Sequence, residues 1–459
     1  MVLRLDRLGF ISFVSMRVLS FLLVTTALGG ACASYPQKLA PALGHFEAGR
    51  FDKAKAALPG AEAMDSEFLA GAEAGSVALA AGGWEEARTS FTRAAEASFE
   101  IEERGLADPE AMGDTLLSWI FSDAAVTYVG EGFERVYIHT ALALTYLAQG
   151  LLDDVYVEAR RANALLEAEE QLYETKYAAG GFGHLLSALT YELLGEPDQA
   201  YIDYQRMQAK GVGSDLVGRA LVRLAKKLSR NEDLDRWVET YGEDIERPVG
   251  AASVIVLAGV GLGPYKIESS INLPTRDGVF RMAVPNYETR PQLVEELRLV
   301  DVESGIGLRT ECVENVTEVA VKNLQDRLAW LALKSAARGA AKLVFTDYLE
   351  DEHGTLGFIG GTFFTFLTER ADLRAWMTLP DSWQACRLFV PPGTRTFTLE
   401  AIGGKAVTLG SFQLEPEETM FVIVRTLGTE IYAHTVGGQE VESQTTEPFG
   451  LEPTAETNP

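Results

Sequence analysis

The spacing of apolar residues changes character near Arg247-Pro248. Before that point apolar positions recur every three to four residues, as in Glu158-Ala-Arg-Arg-Ala-Asn-Ala-Leu-Leu166, which is the spacing of helices that bury one face. After it come short runs rich in β-branched and aromatic residues, bounded by Gly, Pro or Asp, at 253–257, 265–273, 280–284, 297–302, 386–390, 394–399, 406–409, 420–425 and 430–434. Helical spacing returns within 313–341, at Val316, Val319, Ala320, Leu324, Leu328 and Leu331. The pattern predicts a multidomain α+β chain. A helical solenoid is expected over 34–247, then an antiparallel β-sandwich-like domain over 248–436 with a helical insertion at about 315–369. The tail, 437–459, is acidic, lacks basic residues and reads as disordered.

A short motif repeats within the helical part: glycine, one residue, a bulky residue, two more, then a small or branched one. It stands at Gly49-Arg-Phe51-Asp-Lys-Ala54, Gly82-Gly-Trp84-Glu-Glu-Ala87, Gly150-Leu-Leu152-Asp-Asp-Val155 and Gly195-Glu-Pro197-Asp-Gln-Ala200. The first two glycines are 33 residues apart and the second and third 68. Those spacings are one and two periods of tetratricopeptide-type (TPR-like) helical hairpins, about 34 residues each. Glycine then marks the tight turn, and the small residue the closest helix contact. Leu144-Thr145-Tyr146 with Gly150 and Leu189-Thr190-Tyr191 with Gly195 repeat at an offset of 45, so the solenoid is expected to be irregular between 166 and 183.

The first 33 residues read as a signal peptide whose natural start is Met16. Arg17 is followed by an apolar run from Val18 to Leu28 and then by Ala31-Cys32-Ala33. That run is too short to remain as a membrane span. Cys32 after Leu28-Gly29-Gly30-Ala31 is the expected lipidation site, and Ala33 after it fits a lipoprotein on the periplasmic face of the outer membrane. Cleavage at the A-x-A site instead would release a free periplasmic or secreted protein.

Composition narrows the chemistry. At 459 residues the chain is long enough for two or three domains. Its formal net charge is −26, and the leader carries Arg4, Arg7 and Arg17 against Asp6, so the remainder is more acidic still. Such a surface repels nucleic acid, and the expected route to a membrane is the lipid on Cys32. Cys312 and Cys386 are left either to pair or to stay as free thiols. The five histidines are never spaced as HxH or HxxxH, so neither metal nor cofactor is expected. No GxSxG, HExxH, CxxC or GxxxxGK[ST] motif occurs. Gly259-Val-Gly261-Leu-Gly263 follows a strand but runs into Pro264, which removes the helix N-terminus a pyrophosphate site needs.

Two constellations remain. Glu134, Arg135 and His139 share one predicted helix, with Glu134 and His139 about 140° apart around it. Asp372, Arg374 and Trp376 alternate before Thr378-Leu379-Pro380. With Tyr146 and Arg160 they are the candidate partner-binding residues, each weighed against a purely structural role. A catalytic residue is not expected.

These landmarks resemble a bacterial family of uncharacterised tetratricopeptide-containing envelope lipoproteins. The likeness rests on Gly132-Phe133-Glu134-Arg135-Val136-Tyr137-Ile138-His139, Ala141-Leu142-Ala143-Leu144 and Glu158-Ala159-Arg160-Arg161-Ala162-Asn163. In the second half it rests on Ala371-Asp372-Leu373-Arg374-Ala375-Trp376, Thr378-Leu379-Pro380 and Pro391-Pro392-Gly393-Thr394. The resemblance implies a lipid-anchored envelope protein without catalysis, working beside lipoproteins that activate peptidoglycan synthases. The expected role is a scaffold that binds a protein or peptide partner in its helical groove. The alternative is a glycan- or peptidoglycan-binding module, which requires exposed Trp376, Trp383 or Tyr432. An enzyme requires a cleft with two converging carboxylates of raised pKa.

Overall fold

The computed structural model describes residues 34–110, 127–176, 179–242, 250–275, 278–335 and 371–441; the side chains of 271–282 and 331–335 are not described. The leader with Cys32, residues 336–369 of the expected helical insertion and the tail after Val441 lie outside the described residues; the first tail residues, 437–441, are described, and Gln439–Glu440 form a short strand.

Eleven helices precede the first strand among the described residues: α1 (Tyr35–Glu47), α2 (Phe51–Ala57), α3 (Ala61–Met64), α4 (Glu67–Ala80), α5 (Trp84–Ala107), α6 (Gly132–Ala148), α7 (Leu152–Leu172), α8 (Gly181–Leu193), α9 (Pro197–Lys210), α10 (Ser214–Lys227) and α11 (Asn231–Tyr241). Successive helices pack pairwise, α4 on α5, α6 on α7 and α8 on α9. Gly49, Gly82, Gly150 and Gly195 all have positive φ at the turns before α2, α5, α7 and α9. Three residues into each of those helices, Ala54, Ala87, Val155 and Ala200 are fully buried. The repeated Thr145 and Thr190 also act alike, each donating its hydroxyl to the carbonyl four residues earlier at 2.7 Å. Helices α4, α6 and α8 are buried nearly all round, whereas α5, α7 and α9 keep a polar outer face.

The remaining elements are β1 (Ala252–Val260), β2 (Tyr265–Thr275), β3 (Gly278–Glu288), β4 (Leu297–Asp301), β5 (Gly307–Arg309), β6 (Glu311–Asn315), α12 (Val316–Ser335), β7 (Ser382–Val390), β8 (Gly393–Ala401), β9 (Ala406–Leu414), β10 (Thr419–Leu427), β11 (Glu430–Val436) and β12 (Gln439–Glu440). One sheet runs β11-β10-β1-β7-β6 and a second β12-β9-β8-β4-β5. The expectation of antiparallel pairing throughout is corrected in the first sheet, where β1 and β10 run parallel and Ser253 pairs with Thr419. All nine residues of β1 are buried, the signature of a central strand covered on both faces. One face meets the second sheet through Val254, Val256, Leu388, Val422, Leu399 and Phe412. The other meets the helices through Ile255, Leu257, Trp383, Phe421 and Ile423. The β2–β3 hairpin joins neither sheet; its Tyr287 enters the helical core. The molecule is thus a mixed α+β structure in which one sheet is held between helices and a second sheet.

Candidate functional site

Residues 371–380, which have no regular secondary structure, lead into β7 as a strap across α4 and α6. A segment outside helix and sheet has main-chain donors with no ladder to join, and buried donors must find acceptors; Met377 and Thr378 lie in a turn. Two glutamates set among apolar helix residues supply them. Glu134 of α6 accepts the Trp376 N–H at 2.7 Å. Glu73 of α4 accepts the N–H groups of Met377 and Thr378 at 2.8 and 3.2 Å and the Thr378 hydroxyl at 2.6 Å. Tyr35 donates to Glu73 at 2.8 Å and Tyr128 to Glu134 at 2.5 Å. From the sheet side, Arg425 of β10 donates to the carbonyls of Thr378 and Gly259. The strap is therefore gripped by carboxylates on its donors and a guanidinium on its acceptors.

Trp376 anchors it. The ring is 3% exposed, its Nε1 donates to Ser76 Oγ at 2.9 Å, and it lies 5.8 Å from the Phe91 ring. Phe91 reaches that place because Gly75 faces it; a Cβ there would sit 2.4 Å from the ring. The space left beside Trp376 is about 30 Å³, room for one water.

Burial dominates the electrostatics. It pushes Glu73 up to about 6, against the pull of its hydrogen bonds, and raises Glu134 too. Glu131, beside them, is held down at about 2: burial alone would raise it, but Arg327 and Lys266 both bind its carboxylate. Lys266 also donates to the Arg374 carbonyl at 3.0 Å. Burial lowers Arg425 to about 9, with Arg290 adding repulsion.

The sequence candidates separate into distinct places. Arg135 binds Glu169 of α7 at 2.7 Å and the Gly130 carbonyl at 2.7 Å. His139 lies in another cluster, with Nδ1 2.5 Å from Glu158 and Nε2 3.0 Å from Glu102. Both ring nitrogens face carboxylates, so both donate and the ring is the imidazolium. Burial opposes this, yet the two glutamates raise the His139 pKa. Arg374 is held by Asp372 at 2.8 Å and lies over the Tyr128 ring. Asp372 and Arg160 are exposed, and Tyr146 is half-buried. Glu134, Arg135, His139 and Trp376 are all buried and spent on contacts within the chain.

Sequence reasoning missed Glu73, Glu131 and Lys266. A signal existed for Glu73, an acid in the middle of the otherwise apolar Phe68–Ala80 stretch of α4. Glu314, also missed, caps the start of α8 by accepting from Gly180 and Phe182 N–H at 2.9 and 3.0 Å.

Glu73 and Glu134 are two neighbouring carboxylates of raised pKa, but they do not open on a cleft. Both are fully buried and their oxygens are taken by the strap and the tyrosines, so the arrangement holds a chain segment. Trp383 is 5% exposed and stacks on Phe182 at 4.4 Å, so neither it nor Trp376 offers a surface platform for a sugar ring. Tyr432 is half-buried against Phe51. Cys312 is exposed and Cys386 buried; neither is in a disulfide, and burial pushes the Cys386 thiol up to about 12. Among the described residues, no cluster of three or more His, Cys, Asp or Glu side chains could hold a metal ion, and no helix is long and apolar enough to cross a membrane. No family model, curated protein or solved structure matches this chain.

Proposed function

We propose that this chain is an exported, non-catalytic scaffold of the bacterial envelope, tethered by lipid on Cys32, whose TPR-like helical hairpins bind a protein or peptide partner. The observation that carries the reading is the strap. The helical layer grips an irregular segment by its main-chain donors and seats one tryptophan as an anchor, and buried aromatic anchors of this kind dominate recognition surfaces. The inner face is filled by the chain itself and packed on the sandwich of two sheets. The partner surface therefore moves outward, to Tyr146, Tyr156, exposed Val157 and Arg160 on α6 and α7, where Tyr156 meets Tyr191 edge-on at 5.3 Å. Aromatic and arginine side chains are the usual anchors of such surfaces.

The test is photo-crosslinking in bacterial cells, with benzoylphenylalanine placed at Arg160 and, as control, at exposed Val302 at the end of β4. A discrete protein adduct at 160 and none at 302 is expected; no adduct at 160 overturns the scaffold reading. Intact mass of the chain from the membrane fraction tests the address separately. An acylated chain beginning at Cys32 is expected, and a bare chain beginning at Ser34 overturns the tether.

A further inference from the structure

The helices and the mixed sheet do not stay in contact along their whole length. At one end Phe182 stacks flat on Trp383, with planes 7° apart, and closes the gap. At the other, between α8–α10 and the first halves of β1 and β10, the layers part around a cavity of about 380 Å³. Leu193, Ile255 and Phe421 form an apolar wall, and Arg223, Lys227 and Arg387 line the rest with Glu192 and Glu417. Three cations against two carboxylates is a local excess of positive charge inside a chain of net charge −26.

Both carboxylates are already engaged. Glu192 accepts two bonds from Arg387 Nη1 at 2.8 and 2.9 Å and one from the Tyr204 hydroxyl at 2.7 Å. Burial would raise its pKa, but Arg387 and Arg223 hold it at about 2. Glu417 turns back to the Gly250 N–H at 3.3 Å. Among the cations, Lys227 stands apart. Lys227, exposed in the last turn of α10, makes no ion pair among the described residues. Arg387 stands where the helix-facing row of β7 is otherwise apolar, after Trp383 and Ala385, and its side chain is only 7% exposed. Its bonds to Ser253 and Glu192 run through Nε and Nη1, and Phe389 braces its guanidinium from 5.0 Å. Arg387 and Lys227 both line the cavity.

We propose that this cavity binds a small organic carboxylate, with its head between Lys227 and Arg387 and its apolar body on Ile255, Phe421 and Leu193. One surplus positive charge matches a monoanion, which favours a carboxylate over a phosphate dianion. The volume falls in the range of about 300–1,000 Å³ common for small-molecule sites. Such a site is separate from the outer partner surface and does not depend on it.

The experiment is calorimetric titration of the full chain with hexanoate and with hexan-1-ol, which share an apolar body and differ in charge. Hexyl phosphate is the third probe. Hexanoate is expected to bind at one site, with hexan-1-ol at least about tenfold weaker, the worth of one charge-assisted contact. Lys227→Glu, at an exposed position without an ion pair, should weaken hexanoate by about tenfold or more and leave hexan-1-ol unchanged. Circular dichroism checks that the variant stays folded. The proposal is overturned by any of four results: no saturable hexanoate binding up to about 20 mM, equal affinity for the alcohol, undiminished binding in Lys227→Glu, or tighter binding of hexyl phosphate than of hexanoate.

Discussion

A carboxylate in the middle of an apolar helix is costly unless its oxygens are occupied. Glu73 meets that condition with four donors: the Tyr35 and Thr378 hydroxyls and the N–H groups of Met377 and Thr378. Glu73→Ala leaves them buried without an acceptor, at about 1–3 kcal/mol for each orphaned group. Urea denaturation should therefore show a loss of about 3 kcal/mol or more, with Glu73→Gln, which keeps one acceptor, losing less. Glu73 has a folded pKa of about 6 against about 4.3 unfolded. The folded state binds the extra proton, so this group's contribution falls as pH rises from about 4.3 to 6 and is flat above, by about 2 kcal/mol in all. Wild type minus Glu73→Gln should trace that fall; a difference independent of pH would refute it. His139 titrates in its own cluster. Its folded pKa is raised by Glu102 and Glu158, so its stabilisation is complete below its unfolded pKa of about 6.5 and disappears as pH rises through the higher folded value. The stability deficit of His139→Gln should be largest below about pH 6.5 and shrink as pH rises through the higher folded value. The sequence signalled Glu73 only as an acid in an apolar stretch, and neither its partners nor those of His139 were legible. Glu73 and its partner Thr378 are 305 positions apart, and only the fold brings them together.

At the scale of elements, the turn glycines were the most legible feature, because a motif that needs positive φ excludes other residues from its first position. They are not equivalent, however. Gly150 has φ +72 and open space around it, so Gly150→Ala should cost only the backbone penalty, about 1–2 kcal/mol. Gly82 has φ +76, and a Cβ there would lie 2.6 Å from the His434 ring. That ring stands edge-on to Trp84 at 5.4 Å and bonds the Ala80 carbonyl at 3.0 Å, so it cannot move cheaply. Gly82→Ala should thus cost clearly more than Gly150→Ala in thermal melts of the two variants; equal costs would show that β11 does not grip the second repeat. What the sequence hid among the strands has a geometric reason. A period of two is the same for parallel and antiparallel pairing, so the parallel β1–β10 contact left no trace. Strands β5 and β12, of three and two residues, are too short for any periodicity to register.

For the whole molecule, a division at the change of period describes the sequence better than the energetics. The carboxylates that matter most reach across that division: Glu73 and Glu134 to the strap, Glu131 to Lys266 and Arg327, Glu192 to Arg387, and Glu314 to the start of α8. Breaking one partner of a buried charged pair leaves the other uncompensated, at about 3–5 kcal/mol. Separating the layers would break several such contacts at once and bare the apolar face made by Ile255, Leu257, Phe421 and Ile423. Neither layer can unfold while the other keeps its buried charges unpaired, so the full chain should melt in a single calorimetric transition with matching calorimetric and van't Hoff enthalpies. Glu73→Ala should then lower that one transition as a whole. Two resolved transitions, with only the helical one shifted by the substitution, would mean that the strap docks on an independently stable helical layer. The inner groove would then be free to exchange its own segment for a partner's.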